Sequence, residues 1–441
     1  MSDAVAPTEP LEPPGPERAN DPYGVLKNRD FLLYLVGRFV ASFGQQMLAV
    51  AVGWEVYDRS NSTLALGLVG LVQMLPMFLL TFHAGHVADN YSRKQVIFWM
   101  QIMVGVACAG LAVVSALPRE AFVGEFWQGL GHALRMKPDV LCMLGCLVLF
   151  GAARTYLWAS SASFMPQLVE RHQFAKAVTW NSGSFQISAV VGPAAGGALI
   201  ALTGGAVWVY VLNVVASAIC AVLVAMLHTH HKVPVKESMS FKTVAVGLKF
   251  VYRTKIILGS ITLDMFAVLL GGATALLPVY ARDILHVGPK GLGWLQAALP
   301  LGSLVMSLIL VHRPPLQKAG LTLLWSVVGF GLATIVFGFS TVFWLSFLML
   351  FVCGVTDYVS VVVRHTLVQL LTPDEMRGRV SAVNSLFIGT SNQMGEFESG
   401  FVASVTSPFF AVVSGGVGTI IVVAIVAFLW PEIRKYGRLD S

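Results

Sequence analysis

Seven charged side chains stand inside long apolar runs: Arg38, Arg154, Asp264, Asp357, Arg364, Glu396 and Glu398. A charge at the centre of a bilayer costs about 2.5 to 3.5 kcal/mol even on a mild scale, so such groups usually face a cavity and act in it. The chemistry that fits Asp264 and Asp357 is proton carriage. A carboxyl that moves between a dry setting and the neighbourhood of an arginine loads and releases a proton. A fixed interhelical salt bridge is the competing use of the same residues. Arg364 follows Asp357 by seven residues, two helical turns, and shares its face; near the inner end it reads as a snorkelling anchor or a structural partner. Glu396 and Glu398 are two apart and so lie on different faces, and Glu396 is the one expected to look into a cavity. Gln45 and Gln46 offer hydrogen bonds to a substrate or to a neighbouring helix.

The elements that must position these groups follow from composition. Of 441 residues 56% are apolar and 12% are charged, against roughly 25% charged in a soluble domain, and the mean hydropathy is +0.73. About 20 apolar residues span a bilayer. The blocks predict an all-α membrane protein of twelve transmembrane helices: 31–57, 63–84, 95–116, 139–164, 174–202, 206–228, 256–281, 291–311, 320–339, 341–365, 379–403 and 408–430. They are too long, and alternate too little, for a strand barrel. Residues 1–22, rich in Pro and Glu, are expected to be disordered and carry no signal-peptide pattern. Segment 229–255 reads as a cytoplasmic linker whose residues 241–255 form an amphipathic helix on the inner surface, with 121–137 as an outer counterpart. His228, His230, His231 and Lys232 read as an interfacial anchor, and 431–441 as a cytoplasmic tail. The five cysteines fall in apolar blocks and complete no metal set.

Placing both ends in the cytosol puts 20 of the 29 Lys and Arg residues inside, 6 outside and 3 within helices. The net charge of +6 is thereby explained by membrane orientation. The chain also repeats. Asn181-Ser182, Gly192 and Gly197 recur as Asn384-Ser385, Gly395 and Gly400 at an offset of 203, while earlier landmarks fit an offset near 226. Two parallel six-helix bundles follow, 23–228 and 256–430, as in many secondary transporters. Under these offsets Arg38 maps onto Asp264 and Arg154 onto Asp357, which predicts a central cavity with a basic first wall and an acidic second.

Between the second and third spans, Gly85, Asp89, Arg93 and Lys94 resemble the loop signature of the major facilitator superfamily, with Asn90 and Ser92 departing from it. The resemblance implies a cytoplasmic gate in which Asp89 pairs across the halves. Gly192, Pro193, Gly196 and Gly197 resemble the closing part of that superfamily's antiporter signature, although Thr179 and Ser188 stand where its upstream glycines belong. Residues 271–278, 372–380 and 395–400 are similar to the branch containing the enterobactin exporter and macrolide efflux proteins.

The resemblance implies proton-driven export of a siderophore-like or drug-like molecule by alternating access. Uptake, or a transport-inactive receptor or scaffold, are the competing functions. Catalysis is not expected, since no nucleophile, base and orienting group cluster in one segment. No cofactor is expected beyond the proton gradient, and no Walker-type loop is present. The expected partners are a small-molecule substrate, protons and the lipid bilayer, with no nucleic acid and a monomeric state. The expected location is a bacterial inner membrane with both termini cytoplasmic.

Overall fold

The computed structural model describes residues 23–118, 136–228, 241–314 and 317–437. The N-terminal tail, the outer segment up to residue 135, and His230, His231 and Lys232 lie outside the described residues. Within them the chain is helical, with no strand.

Twelve long helices carry the fold: α1 Arg29–Ser60, α2 Thr63–Asn90, α3 Arg93–Ala116, α4 Pro138–Leu168, α5 Phe174–Thr203, α6 Val207–Ala225, α8 Lys255–Leu270, α9 Gly288–Val311, α10 Ala319–Phe339, α11 Phe343–Leu371, α12 Asp374–Val405 and α13 Pro408–Leu429. The short helices α7 Phe241–Arg253 and α14 Pro431–Lys435 flank the second set. Among the described residues, eleven membrane-length segments are apolar enough to cross a bilayer. The exception, α12, has 32 residues and is as long as α1, but its charges and amides lower its hydropathy. It is held by packing against α2 and α8 instead of by lipid affinity.

Local sequence fixes the helix ends. The Asn28 side-chain Oδ1 accepts from the Asp30 and Phe31 backbone N–H groups at 3.0 and 3.2 Å, capping α1. Its amide donates to the Leu168 carbonyl at 2.8 Å, satisfying the exit of α4. At the other end Asn61 takes a left-handed conformation, φ 51°, and Ser62 caps α2, so the two helices meet in a tight turn. Asn28, Lys94, Leu168 and the stretch around 228 meet at one end, together with the chain's described termini. We call the opposite one the far end.

The packing repeats. In the first set α1 contacts α5 and α6, α2 contacts α4, and α3 contacts α4 and α6; in the second α8 contacts α12 and α13, α9 contacts α11, and α10 contacts α11 and α13. The sets meet through α2 with α12 and α5 with α9, again corresponding members. Prolines sit at matching places too, Pro76 inside α2 and Pro300 inside α9; each removes one helical hydrogen bond and permits a bend.

One span is discontinuous. After α8 stops at Gly271, the chain continues as a 3-10 turn (Ala273–Leu276), a short α turn (Leu277–Val279) and a π turn (Tyr280–Ile284). The α7 helix lies against the start of α12, where Gly247 brings it onto the Arg379 carbonyl. Its Val246, Leu248, Lys249 and Tyr252 side chains are exposed.

Candidate functional site

Of the seven mid-span charges, Arg154 alone is exposed. It lies on α4 one turn from Gly151, whose missing side chain lets α4 close onto Gln73 of α2. One turn earlier on α2, Gly70 makes room for Glu396 of α12; a Cβ at Gly70 would stand 2.8 Å from the Glu396 carboxylate. Arg154 of the first half and half-buried Glu396 of the second therefore act on each other's charge across the interface. Glu398 is also half-buried and accepts from the neighbouring Ser399 hydroxyl at 3.4 Å.

The second charge cluster lies inside one half. Asp264 of α8 forms an ion pair with Arg364 of α11, their side chains 8% and 3% exposed. Arg364 is thus a buried partner and not a snorkelling anchor. Asp357 lines a cavity of about 20 Å³ with Asp264, Ser326, Thr356 and Ser360, room for about one water. His365, exposed on α11, is within electrostatic reach of the pair.

Arg38 does not face Asp264. Its guanidinium donates to the Ser161 hydroxyl of α4 at 3.1 Å, and its Nε is buried without a hydrogen-bond partner. The offset of 203 maps Ser161 onto Arg364. The repeat is therefore preserved as a pairing: Arg38 with Ser161 in one half corresponds to Asp264 with Arg364 in the other. The expected confrontation of Arg38 with Asp264 is replaced by partners within each half, since α1 and α4, like α8 and α11, belong to the same bundle. The charge that acts on Arg154 is likewise Glu396, not Asp357.

The glycine motif joins three helices. Gly192 and Gly196 of α5 lie on Gln46 and Met47 of α1, where a Cβ at Gly196 would stand 3.0 Å from the Met47 backbone. On its other face α5 meets α9, with Gly197 similarly 3.0 Å from Gly293 and with Pro193 at the same contact. Gln46 is therefore a packing residue, and Gln45 beside it is half-buried. Gln186 of α5 adds a hydrogen bond to the Pro300 carbonyl of α9 at 3.4 Å.

At the termini end, Gly85 and Asp89 are half-buried. Asp89 lies 4.0 Å from Arg93 of its own half, while Arg93 donates to Ser163 at 3.1 Å and Lys94 to the Leu227 carbonyl at 2.6 Å. The last two contacts tie the loop to α4 and the exit of α6. Polar side chains left exposed on the spans, His83, His86, Thr179, Ser182 and Asn392, lie between mid-span and this end. Lipid would penalise such exposed polar groups, and water would not.

The far end is latched by residues that sequence reasoning passed over. The Tyr57 hydroxyl donates to Asp283, and Arg282 reaches Asp58 at 3.5 Å and Asn61 at 3.0 Å, with its guanidinium 5.6 Å from the Tyr57 ring centre. All these contacts cross between halves, and the π turn re-aims Arg282 and Asp283 to make them. Behind them Arg59, counted with the outer loop from sequence, is buried: it binds Glu55 at 2.8 Å, Asp139 at 3.1 Å and the Ser115 carbonyl at 3.0 Å. Only the four-residue spacing of Glu55 and Arg59 hinted at this network.

The sequence pattern of transmembrane secretion effectors matches residues 21–438. The enterobactin exporter EntS of Citrobacter koseri is 26% identical over 408 residues, 92% of this chain and 93% of that protein. EntS of Escherichia coli O1:K1 is 24% identical over the same share. Among solved structures, a bacterial homologue of the iron transporter ferroportin in an inward-facing state superposes with a TM-score of 0.69 at 16% identity, covering 92% of this chain and 99% of that one. A bacterial homologue of the lysosomal transporter Spinster gives 0.64 at 14% identity, covering 94% and 96%. At such identities these two similarities concern the fold alone.

Proposed function

Because the chain belongs to the transmembrane secretion effector family of the major facilitator superfamily and is a multi-pass membrane transporter, we propose that it is a proton-coupled exporter of a siderophore-like or drug-like molecule. The observation that carries this reading is the set of charged side chains at mid-span, one cluster inside the second half and one at the interface, in a molecule whose halves close on each other at one end. Export agrees with the name of its EntS relatives, and the positive residues favour a bacterial inner membrane with both termini cytoplasmic. The far end is then the outer one, and the described state opens inward. In the reverse state the Asp89 loop would close the inner end.

Arg364 lies near two carboxylates and pairs with Asp264. Asp357 is then the carboxyl left to carry a proton, and a shift of Arg364 toward it would expel that proton. Asp264 holds Arg364 in the loaded state. Arg154, Glu396, Glu398, Gln45 and Arg38 contribute to the cargo cavity and its support. The proton gradient is the energy source, and the unit of transport is a monomer with its own cavity.

The test is accumulation of enterobactin, followed by a panel of drug-like molecules, in everted membrane vesicles with an acid interior. Protonophore-sensitive accumulation is expected. Accumulation by right-side-out vesicles instead would mean uptake, and transport in neither orientation would leave a receptor or scaffold.

A further inference from the structure

We infer that the cavity recognises its cargo as an organic anion bearing an aromatic ring, gripped by Arg154 with Trp158 beneath the ring and displacing Glu396 from Arg154. The inference rests on the exporter reading and names its substrate class. Three observations converge. Arg154 is the exposed member of the seven mid-span charges, whereas Asp264 and Arg364 are buried in each other's company. The charge that acts on it is Glu396, which belongs to the opposite half and is seated in the notch left by Gly70. Trp158 follows Arg154 by one helical turn on the same face of α4 and is 55% exposed.

A guanidinium is a planar, permanently charged fork that binds carboxylates and similar anions bidentately, and an indole face one turn away adds ring stacking. Glu396 is held by the close approach of α12 to α2, so its geometry toward Arg154 is set by the interface. A small anion entering the cleft is free to adopt the bidentate geometry. Cargo on Arg154 screens its charge from Glu396, so cargo binding weakens one attraction that opposes separation of the halves. A cationic cargo would meet Arg154 first and be repelled.

The test uses the purified full chain in detergent and equilibrium dialysis against three probes sharing one ring: 2-naphthoate, 2-naphthamide and 2-naphthylmethylammonium. The carboxylate is expected to bind at least about tenfold tighter than the other two, the effect of one charge-assisted contact. Arg154→Gln should erase that preference, Arg154→Lys should keep part of it, and Trp158→Ala should weaken all three probes. Glu396→Gln should tighten naphthoate binding by removing the competitor. Equal binding of the three probes, tighter binding of the ammonium, absence of saturable naphthoate binding, or an unchanged preference in Arg154→Gln would each overturn the assignment. Gradient-driven transport of a cationic or neutral molecule in vesicles would overturn the anion class while leaving the exporter reading intact.

Discussion

At Asp264, neutralising the carboxyl leaves Arg364 as a charge with 3% of its side chain exposed and no countercharge in contact. Breaking a buried pair on one side costs about 3 to 5 kcal/mol, whereas replacing both members with apolar groups of similar size is near neutral. Asp264→Ala should therefore lower the thermal unfolding midpoint in detergent sharply, and the double variant Asp264→Leu with Arg364→Met should recover most of the loss. Recovery would identify the pair as structural support for Asp357. Asp357 makes no such pair, so Asp357→Asn should leave the midpoint within about a degree or two of the parent, as expected for a substitution that breaks no buried contact. These residues were legible as charges in apolar sequence because the membrane penalty makes each of them stand out. Their partners were not. The repeat related Arg38 to Asp264 by position, and correspondence under a repeat is not contact: each residue binds the helix that is its neighbour within its own half. Glu55 and Arg59 escaped notice because they lie near a helix end, where charges are normally hydrated.

On the scale of helices, small residues decide how the halves touch. Gly197 and Gly293 bring the backbones of α5 and α9 into direct contact, and any side chain there must push them apart. Gly293→Leu should fold, since each half keeps its own packing, but should hold the far end open. In a background without native cysteines, a cysteine replacing Leu292, which is fully buried, should react with a membrane-impermeant maleimide much faster in that variant. Unchanged labelling would show that the α5–α9 contact does not close the far end. The twelve spans were legible from blocks of apolar residues, although α12 is a span that hydropathy alone undervalues. The break in α8 between Gly271 and the π turn was not, because its causes are tertiary: the carbonyl ends of α8 pack on Gly395 and Gly415, and the π turn faces α1.

Across the whole molecule, the contacts between the two bundles concentrate at mid-span and the far end, about which the proposed alternating access would rock them. The Arg282 latch is partly exposed, with Arg282 and Asp58 side chains 32% and 42% accessible, so it contributes about 0 to 1 kcal/mol. Arg282→Ala should accordingly raise the fraction open at the far end by no more than about fivefold, read by the same cysteine at position 292. Orientation is a separate claim: a fluorescent-protein fusion after Gly437 should glow and an alkaline phosphatase fusion at the same point should be inactive. The central claim is that cargo and protons exchange through one cavity. It is tested most directly in proteoliposomes loaded with a pH-sensitive dye, by adding the molecule that everted vesicles accumulate and recording proton movement with no imposed pH gradient. A cargo gradient should drive protons the opposite way in the parent protein, and Asp357→Asn should abolish that movement while preserving cargo exchange. Proton movement that persists unchanged in Asp357→Asn, or cargo flux that moves no protons in the parent, would contradict the account.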